Sequence, residues 1–339
     1  MATATGIVLA FILIVLILLE LVARAYGLGD PIVYDTDPLY KYRPRPNQSV
    51  QRIDGASIRI NNLGIRSNGD WDSSKDRKVL FIGNSVTYGG SYVSNHEIFA
   101  VRAVPATNGW IGGSAGVNGW GVENMHALIV GRQFNPAIAY VTVLLKSDFF
   151  RGTSPLRRVF PTSKPSFALA EAMPHVMLRV RERVRLMVPG LFPARDTIST
   201  LETRALALQA VVRLKEMDEY LKARGFVHLI YMSPTIGELK NPYDGKGLEE
   251  NLLAAGIPFQ RIQNRPEARE YPVDQMDSLY QDGYHLSKAG HSLWAAIIEK
   301  DLRACGVGGT KPLDCSAVPR YEGESEPSAP RSAPSSLSR

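Results

Sequence analysis

A three-layer α/β/α fold on a mainly parallel sheet, preceded by an N-terminal transmembrane helix, is what the sequence predicts. Three observations lead there. Short runs of almost unbroken apolar character (KVLFIG at 78–83, AIAYVTVLL at 137–145 and FVHLIYMSP at 226–234) read as strands buried on both faces. Helix-period segments separate those runs, which is the pattern of parallel strands joined by crossover helices. Residues 4–23 are apolar except for Thr5, Gly6 and Glu20, enough for a helix of about 30 Å.

The apolar N-terminus has two readings. An uncleaved anchor places Glu20 near the headgroups, with Arg24 and Tyr26 as interfacial residues. A signal peptide would be cut after Ala23-Arg24-Ala25, a small-x-small site, near Ala25. No Lys or Arg precedes the run and the run is long for a signal, so the anchor is favoured. Either way the rest of the chain is expected outside the cytoplasm. Arg24 then lies on the outer side, against the positive-inside rule.

Residues 26–77 form an N-terminal extension rich in Pro, Asn, Gly and Asp. LYKYRPRPNQSV reads as extended chain, and SIRINNLGIRS as a short hairpin turning at Asn62 and Gly64. The α/β domain is expected over 78–304. After the first strand come a short helix over 97–104, a glycine-rich stretch (GWIGGSAGVNGWG), and a helix over about 122–132. A long helix over about 198–224 ends at Gly225, a left-handed C-cap. A short helix covers 248–255. In the last helix Ser287 caps the start, and Leu293, Ile297 and Leu302 face inward. Residues 305–339 are a C-terminal tail, Pro/Ser/Glu-rich and predicted disordered from about 316.

Charge is concentrated. Of a formal net +6, the stretch 151–195 alone holds nine Lys/Arg against two Asp/Glu, so the remainder is near neutral. That excludes a broad nucleic-acid-binding face, and no nucleic-acid partner is expected. The excess lies in a basic insertion, about 151–197. There Met173, Met177, Val180, Val184 and Met187 follow a 4-3-4-3 spacing, which predicts a helix with Arg179, Arg181, Arg183 and Arg185 on its other faces. Such a helix suits a solvated surface, a lid over a site, or an anionic membrane surface. Cys305 and Cys315 either close a small loop in an oxidising compartment or stay as thiols. The six histidines show no metal-ligand spacing; neither metal nor cofactor is expected.

Three strand or turn ends carry polar residues: Gly83-Asn84-Ser85, Lys146-Ser147-Asp148, and Asp282-Gly283-Tyr284-His285. Carboxyl ends of strands are where α/β sheets build sites. A serine at such an end needs a base, and His285 is the residue type suited to that near neutral pH. An Asp three residues earlier can orient the imidazole. Backbone N–H groups beside glycine can receive a developing oxyanion.

Here the chain resembles a known family. GNSVTYG, AGVNGWG, KSD and DGYH occur in the order and spacing of the four blocks of the SGNH hydrolases, the GDSL esterase/lipase superfamily. The resemblance runs from about residue 78 to 304. It implies Ser85 as nucleophile with Asp282 and His285 completing a triad, and Ser85 and Gly119 as oxyanion-hole donors. Two positions depart from the pattern. Asn84 stands where the family has Asp, and Ser147 where it has the Asn that completes the hole. Asn84 and Asn118 are then supporting candidates.

The membrane-anchored bacterial members of the family suggest the rest. The expected protein is a serine esterase working through an acyl-enzyme, or an O-acyltransferase, acting on O-acyl (acetyl) groups of envelope carbohydrate. It would sit in the inner membrane by its single helix with the catalytic domain periplasmic, or be secreted after cleavage. The alternative is a catalytically weakened domain that binds or assembles in envelope polysaccharide biosynthesis or export.

Overall fold

The three inner strands of the central sheet send alternate side chains into two separate cores, and that alternation makes the molecule three layers deep. The computed structural model describes residues 2–153, 156, 160–188, 200–240 and 247–321. The chain opens with helix α1 (Ala2–Ala25). Two antiparallel ladders follow, β1 (Tyr34–Asp37) with β2 (Lys41–Pro44), and β3 (Gln48–Gln51) with β4 (Ser57–Ile60). The α/β unit then runs β5 (Lys78–Gly83), α2 (Ser85–Tyr88), α3 (Phe99–Arg102), β6 (Ile111–Ser114), α4 (Val122–His126) and β7 (Ala139–Leu144). It continues with α5 (Ala168–Met187), α6 (Thr200–Lys222), β8 (Val227–Met232), α7 (Ile236–Lys240) and α8 (Leu248–Ala254). It closes with β9 (Gln260–Arg261), α9 (Pro266–Arg269) and α10 (Lys288–Ala304).

The sheet order is β6-β5-β7-β8-β9, all pairs parallel. Counted by appearance this is the flavodoxin-like order 2-1-3-4-5. On one face, Leu80 and Ile82 of β5, Tyr140 and Leu144 of β7, and Ile230 and Met232 of β8 pack under Met125 of α4 and Leu214 and Leu221 of α6. On the other, Val79, Phe81, Val141, Val143 and Tyr231 pack under Phe99 of α3 and Trp294 and Ile298 of α10. This is the predicted three-layer architecture. Burying both faces explains why the strands read as continuous apolar runs rather than alternating ones.

The N-terminal extension is joined to the sheet. Arg66 pairs antiparallel with both Ile60 and Ser114, so the hairpin read at 57–67 exists and covers the β6 edge. The Arg66 side chain is buried and donates to the carbonyls of Tyr88, Gly90 and Val93, fastening the loop after α2.

Several boundaries differ from the sequence reading. The helix expected over 97–104 is a single turn at Phe99–Arg102, preceded by a 3₁₀ turn in which Ser94 and Glu97 form a capping box. The helix over 122–132 changes to a π turn from Ala127. The long helix is seen from Thr200 and ends with Gly225 at φ +75°; its expected first residues lie outside the described ones. The basic segment is helical over Ala168–Met187, as its 4-3-4-3 spacing predicts. Cys305 and Cys315 are joined in a disulfide. The tail is ordered further than predicted: Val318 is buried, and the Tyr321 N–H donates to the Phe259 carbonyl. Residues 322–339, the rest of the segment read as disordered, lie outside the described residues.

Among the described residues one helix, Thr5–Ala25, is long and apolar enough to cross a membrane. Its residues 5–19 are exposed along their length.

Candidate active site

The site forms where the sheet order reverses. From β5 the chain goes to one neighbour, β6, and then returns to the other, β7; the crevice at the carboxyl ends of β5 and β7 is the switch point at which α/β sheets bind ligands. Gly83 ends β5 against β7 so closely that a Cβ there would lie 2.6 Å from the Val143 carbonyl oxygen and 2.1 Å from Thr87 Oγ1. The next residue, Asn84, caps the four-residue α2: its side-chain oxygen accepts the Val86 N–H at 2.8 Å. Ser85 is therefore the first residue of a helix turn starting at a strand end.

Ser85 Oγ lies 2.9 Å from His285 Nε2, and His285 Nδ1 lies 2.7 Å from Asp282 Oδ2. With the second nitrogen protonated toward the carboxylate, Nε2 is left to accept the serine hydroxyl. The loop holding the pair is pinned locally. Tyr280 pairs with Leu286 across it, and Asp282 Oδ1 accepts the backbone N–H groups of Tyr284 and His285 at 3.0 and 2.8 Å. Burial pulls the Asp282 carboxyl up, but the imidazole and those two N–H groups outweigh it and hold the group below the ordinary carboxylate range. Asp282 is thus ionised at neutral pH, ready to balance an imidazolium.

A cleft of about 330 Å³ opens over these residues, lined by Ser85, Gly90, Tyr92, Asn118, Gly119, Arg151, Phe160, Tyr284 and His285. Gly119 has φ +83°, in the left-handed region where glycine is favoured. Tyr42 Oη donates to the Asn118 carbonyl at 2.7 Å, so the extension holds the glycine-rich stretch from outside. Among the described residues no protein acceptor takes the N–H of Ser85 or of Gly119. Both are available to a ligand in the cleft.

Ser147, expected among the hole donors, does not line the cleft. Its hydroxyl accepts from Arg151 Nη2 at 3.0 Å, and Arg151 occupies the cleft wall instead. Arg151 Nη1 also donates to the Trp120 carbonyl at 3.2 Å and lies 3.3 Å from Asp148 Oδ1. Asp148 in turn accepts the Asn84 side-chain N–H at 2.6 Å and the Leu145 N–H at 2.9 Å. Burial raises the Asp148 carboxyl to about 6 against the pull of Arg151, Asn84 and the Leu145 N–H. Asn84 is therefore a donor to a buried carboxylate as well as a helix cap.

Sequence reasoning missed Tyr42, Tyr92, Arg151 and Phe160. Only Arg151 had a local signal, a cation three residues beyond Asp148 at a strand end. Tyr88, Trp110 and Trp120 are buried and do not line the cleft. A second hydroxyl–imidazole–carboxylate chain, Thr142–His228–Asp218, has contacts of 2.8 and 2.9 Å. Thr142 is fully buried within β7, so that chain presents no nucleophile. His291 is buried and accepts the Phe99 N–H at 3.2 Å. The described residues hold no cluster of three or more potential metal ligands.

No family model and no curated protein matches the chain. Solved structures similar to it include a lipase/acylhydrolase from Enterococcus faecalis: 14% identity, 67% of this chain and 96% of that one, TM-score 0.37. A putative lipolytic protein of the G-D-S-L family from Desulfitobacterium hafniense is 11% identical over 66% of this chain and 99% of that one, TM-score 0.34. A catalytic mutant of an acetylxylan esterase from Geobacillus stearothermophilus is 14% identical over 71% and 98%, TM-score 0.36.

Proposed function

We propose that this chain is an SGNH-type serine ester hydrolase that removes O-acyl groups, acetyl above all, from carbohydrate of the bacterial cell envelope. The observation that carries the catalytic part is the unbroken hydrogen-bonded chain Ser85–His285–Asp282 at the mouth of the switch-point cleft. In the first half-reaction Ser85 Oγ attacks the ester carbonyl carbon and its proton passes to His285 Nε2. The carbonyl oxygen takes up the negative charge toward the N–H groups of Ser85 and Gly119. Collapse expels the sugar hydroxyl, which leaves with the proton from His285. Water then attacks the acyl-Ser85 carbonyl by the same route in reverse. Replacing that water by a sugar hydroxyl would give transfer instead of hydrolysis. The cleft's aromatic walls, Tyr92, Phe160 and Tyr284, suit a sugar ring. Helix α1 would anchor the chain in the inner membrane with this domain in the periplasm, an oxidising compartment that suits the Cys305–Cys315 disulfide.

A second reading, a binding or assembly module, draws support from Ser147: the side chain at the hole's third position is engaged by Arg151. One experiment separates the two. A fluorophosphonate probe should label the chain at Ser85, and Ser85→Ala should abolish both labelling and hydrolysis of a chromogenic acetyl ester. A folded protein with neither labelling nor turnover would leave the binding module.

A further inference from the structure

Helix α5 carries an apolar stripe that nothing in the described protein covers. At about 100° per residue, Met173, Met177, Val180, Val184 and Met187 fall within an arc of about 80°. Four of them are half or more exposed: Met173 57%, Met177 62%, Val180 50% and Met187 77%. The arginines border the stripe. Arg181 and Arg183 lie about 80° to either side of its centre and Arg179 about 120° away, all exposed.

The opposite face holds α5 to the body. Ala168 is buried against Gly29, where an added Cβ would come within 3.1 Å of it. Glu171 makes a buried ion pair with Arg52 and accepts the Gly29 N–H at 2.7 Å. The stripe therefore faces away from the domain.

The start of α5 is fixed to the end of α1. Glu20 accepts the N–H groups of Ala168 and Leu169 at 2.8 and 3.0 Å, satisfying two of the donors a helix N-terminus leaves free. Arg24, 2.8 Å from Glu20, reaches the Ser166 carbonyl. Residues 5–19 of α1 stay exposed, so α5 leaves the apolar helix at its last turns rather than packing along it. Phe167, 65% exposed, sits at the junction.

We infer that α5 lies in the headgroup layer of an anionic bilayer, its stripe toward the acyl chains and Arg179, Arg181 and Arg183 toward lipid phosphates. An apolar stripe edged by cations is the composition of an interfacial helix, and α1 delivers it to the depth at which such a helix sits. The inference rests on α1 being an anchor, as proposed above. It adds a second attachment of the domain to the membrane beside the anchor.

The full chain in nanodiscs tests it. Single cysteines carrying an environment-sensitive dye are placed at Ile12 in α1, Val180 in the stripe, and Asp76 in the exposed turn before β5. Doxyl lipids then report depth. In discs containing phosphatidylglycerol, Ile12 and Val180 should be quenched and Asp76 not. With phosphatidylcholine alone or at high salt, quenching at Val180 should fall at least twofold while Ile12 is unchanged. Quenching at Ile12 with none at Val180 overturns the inference and leaves the anchor standing. An unquenched Ile12 removes the anchor and the inference with it. Equal quenching at Val180 in both lipids overturns the anionic requirement. Cross-linking between Val180→Cys chains without lipid quenching would instead assign the stripe to a second copy.

Discussion

Asp148 links the two strand ends that frame the cleft, and its partners place both Asn84 and Ser147. Asn84 gives it a neutral donor where an Asp would bring a second carboxylate within 2.6 Å. Asn84→Asp should therefore destabilise the fold by about 2–4 kcal/mol at pH 8, because a buried bond is lost and like charges meet. The loss should shrink as the pH falls through about 6, where Asp148 takes a proton and can donate. Thermal melts of both proteins across pH 5–8 check this; a difference that does not vary with pH would sink it.

On the other side of Asp148, Arg151 is held by the Trp120 carbonyl, Ser147 Oγ and the carboxylate, yet still faces the cleft. A guanidinium has five N–H donors, so some remain for a developing oxyanion. Arg151→Met should lower kcat on a simple acetyl ester by roughly 10²-fold, the scale of one lost hole donor. Ser147→Ala should change kcat less than about threefold, since its hydroxyl serves Arg151 and not the cleft. The reverse ranking in steady-state kinetics would return the donor role to Ser147. The Ser85–His285–Asp282 chain was legible in the sequence because its cues are local: a serine on a glycine turn, and Asp and His three residues apart. Arg151's place was not, since it depends on how the chain after β7 folds back over the cleft.

At the scale of elements, the extension acts on the site through the β2 strand. The 118–119 peptide is trans, so the Gly119 N–H points opposite to the Asn118 carbonyl that Tyr42 holds. Fixing the carbonyl from outside aims the N–H, and Tyr42 acts as a positioning residue. Tyr42→Phe keeps the ring stacked on Phe160, 5.8 Å between centroids, and removes only the hydroxyl. It should lower kcat about fivefold, the worth of one hydrogen bond near 1 kcal/mol, with KM little changed. A change in KM alone would show that the ring, not the hydroxyl, matters. The sequence displayed β5, β7 and β8 plainly because both their faces are buried. It hid β6, whose IGGS carries two glycines for close packing: a Cβ on Gly112 would sit 2.4 Å from the Ala100 carbonyl oxygen. It hid β9, two residues long, and β1–β2, whose pairing depends on long-range docking rather than on periodicity.

Across the whole molecule, two buried groups set opposite pH dependences. Asp148 has its carboxyl raised to about 6, so the unfolded chain ionises first and stability falls as pH rises from about 4 to 6. His291 behaves the other way. Burial first, then the positive charges of Arg66 and Arg102, hold its imidazole down at about 3, while Glu97 and a backbone contact at Gly89 pull upward. The unfolded chain binds that proton near 6.5. The His291 contribution is therefore complete above about pH 6.5 and is lost as pH falls toward 3, on the order of 5 kcal/mol in all. It lies in the core between α3 and α10, its ring stacked on Phe99 at 5.4 Å, so protonation would charge the layer opposite α6. His291→Gln keeps an acceptor for the Phe99 N–H without a titrating ring. Its unfolding free energy should depend on pH between 3 and 6.5 by about one proton less than the wild-type chain, and its acid midpoint should move down. Urea titrations at half-unit pH steps measure that slope directly. Parallel slopes for the two proteins would mean that another group governs acid unfolding.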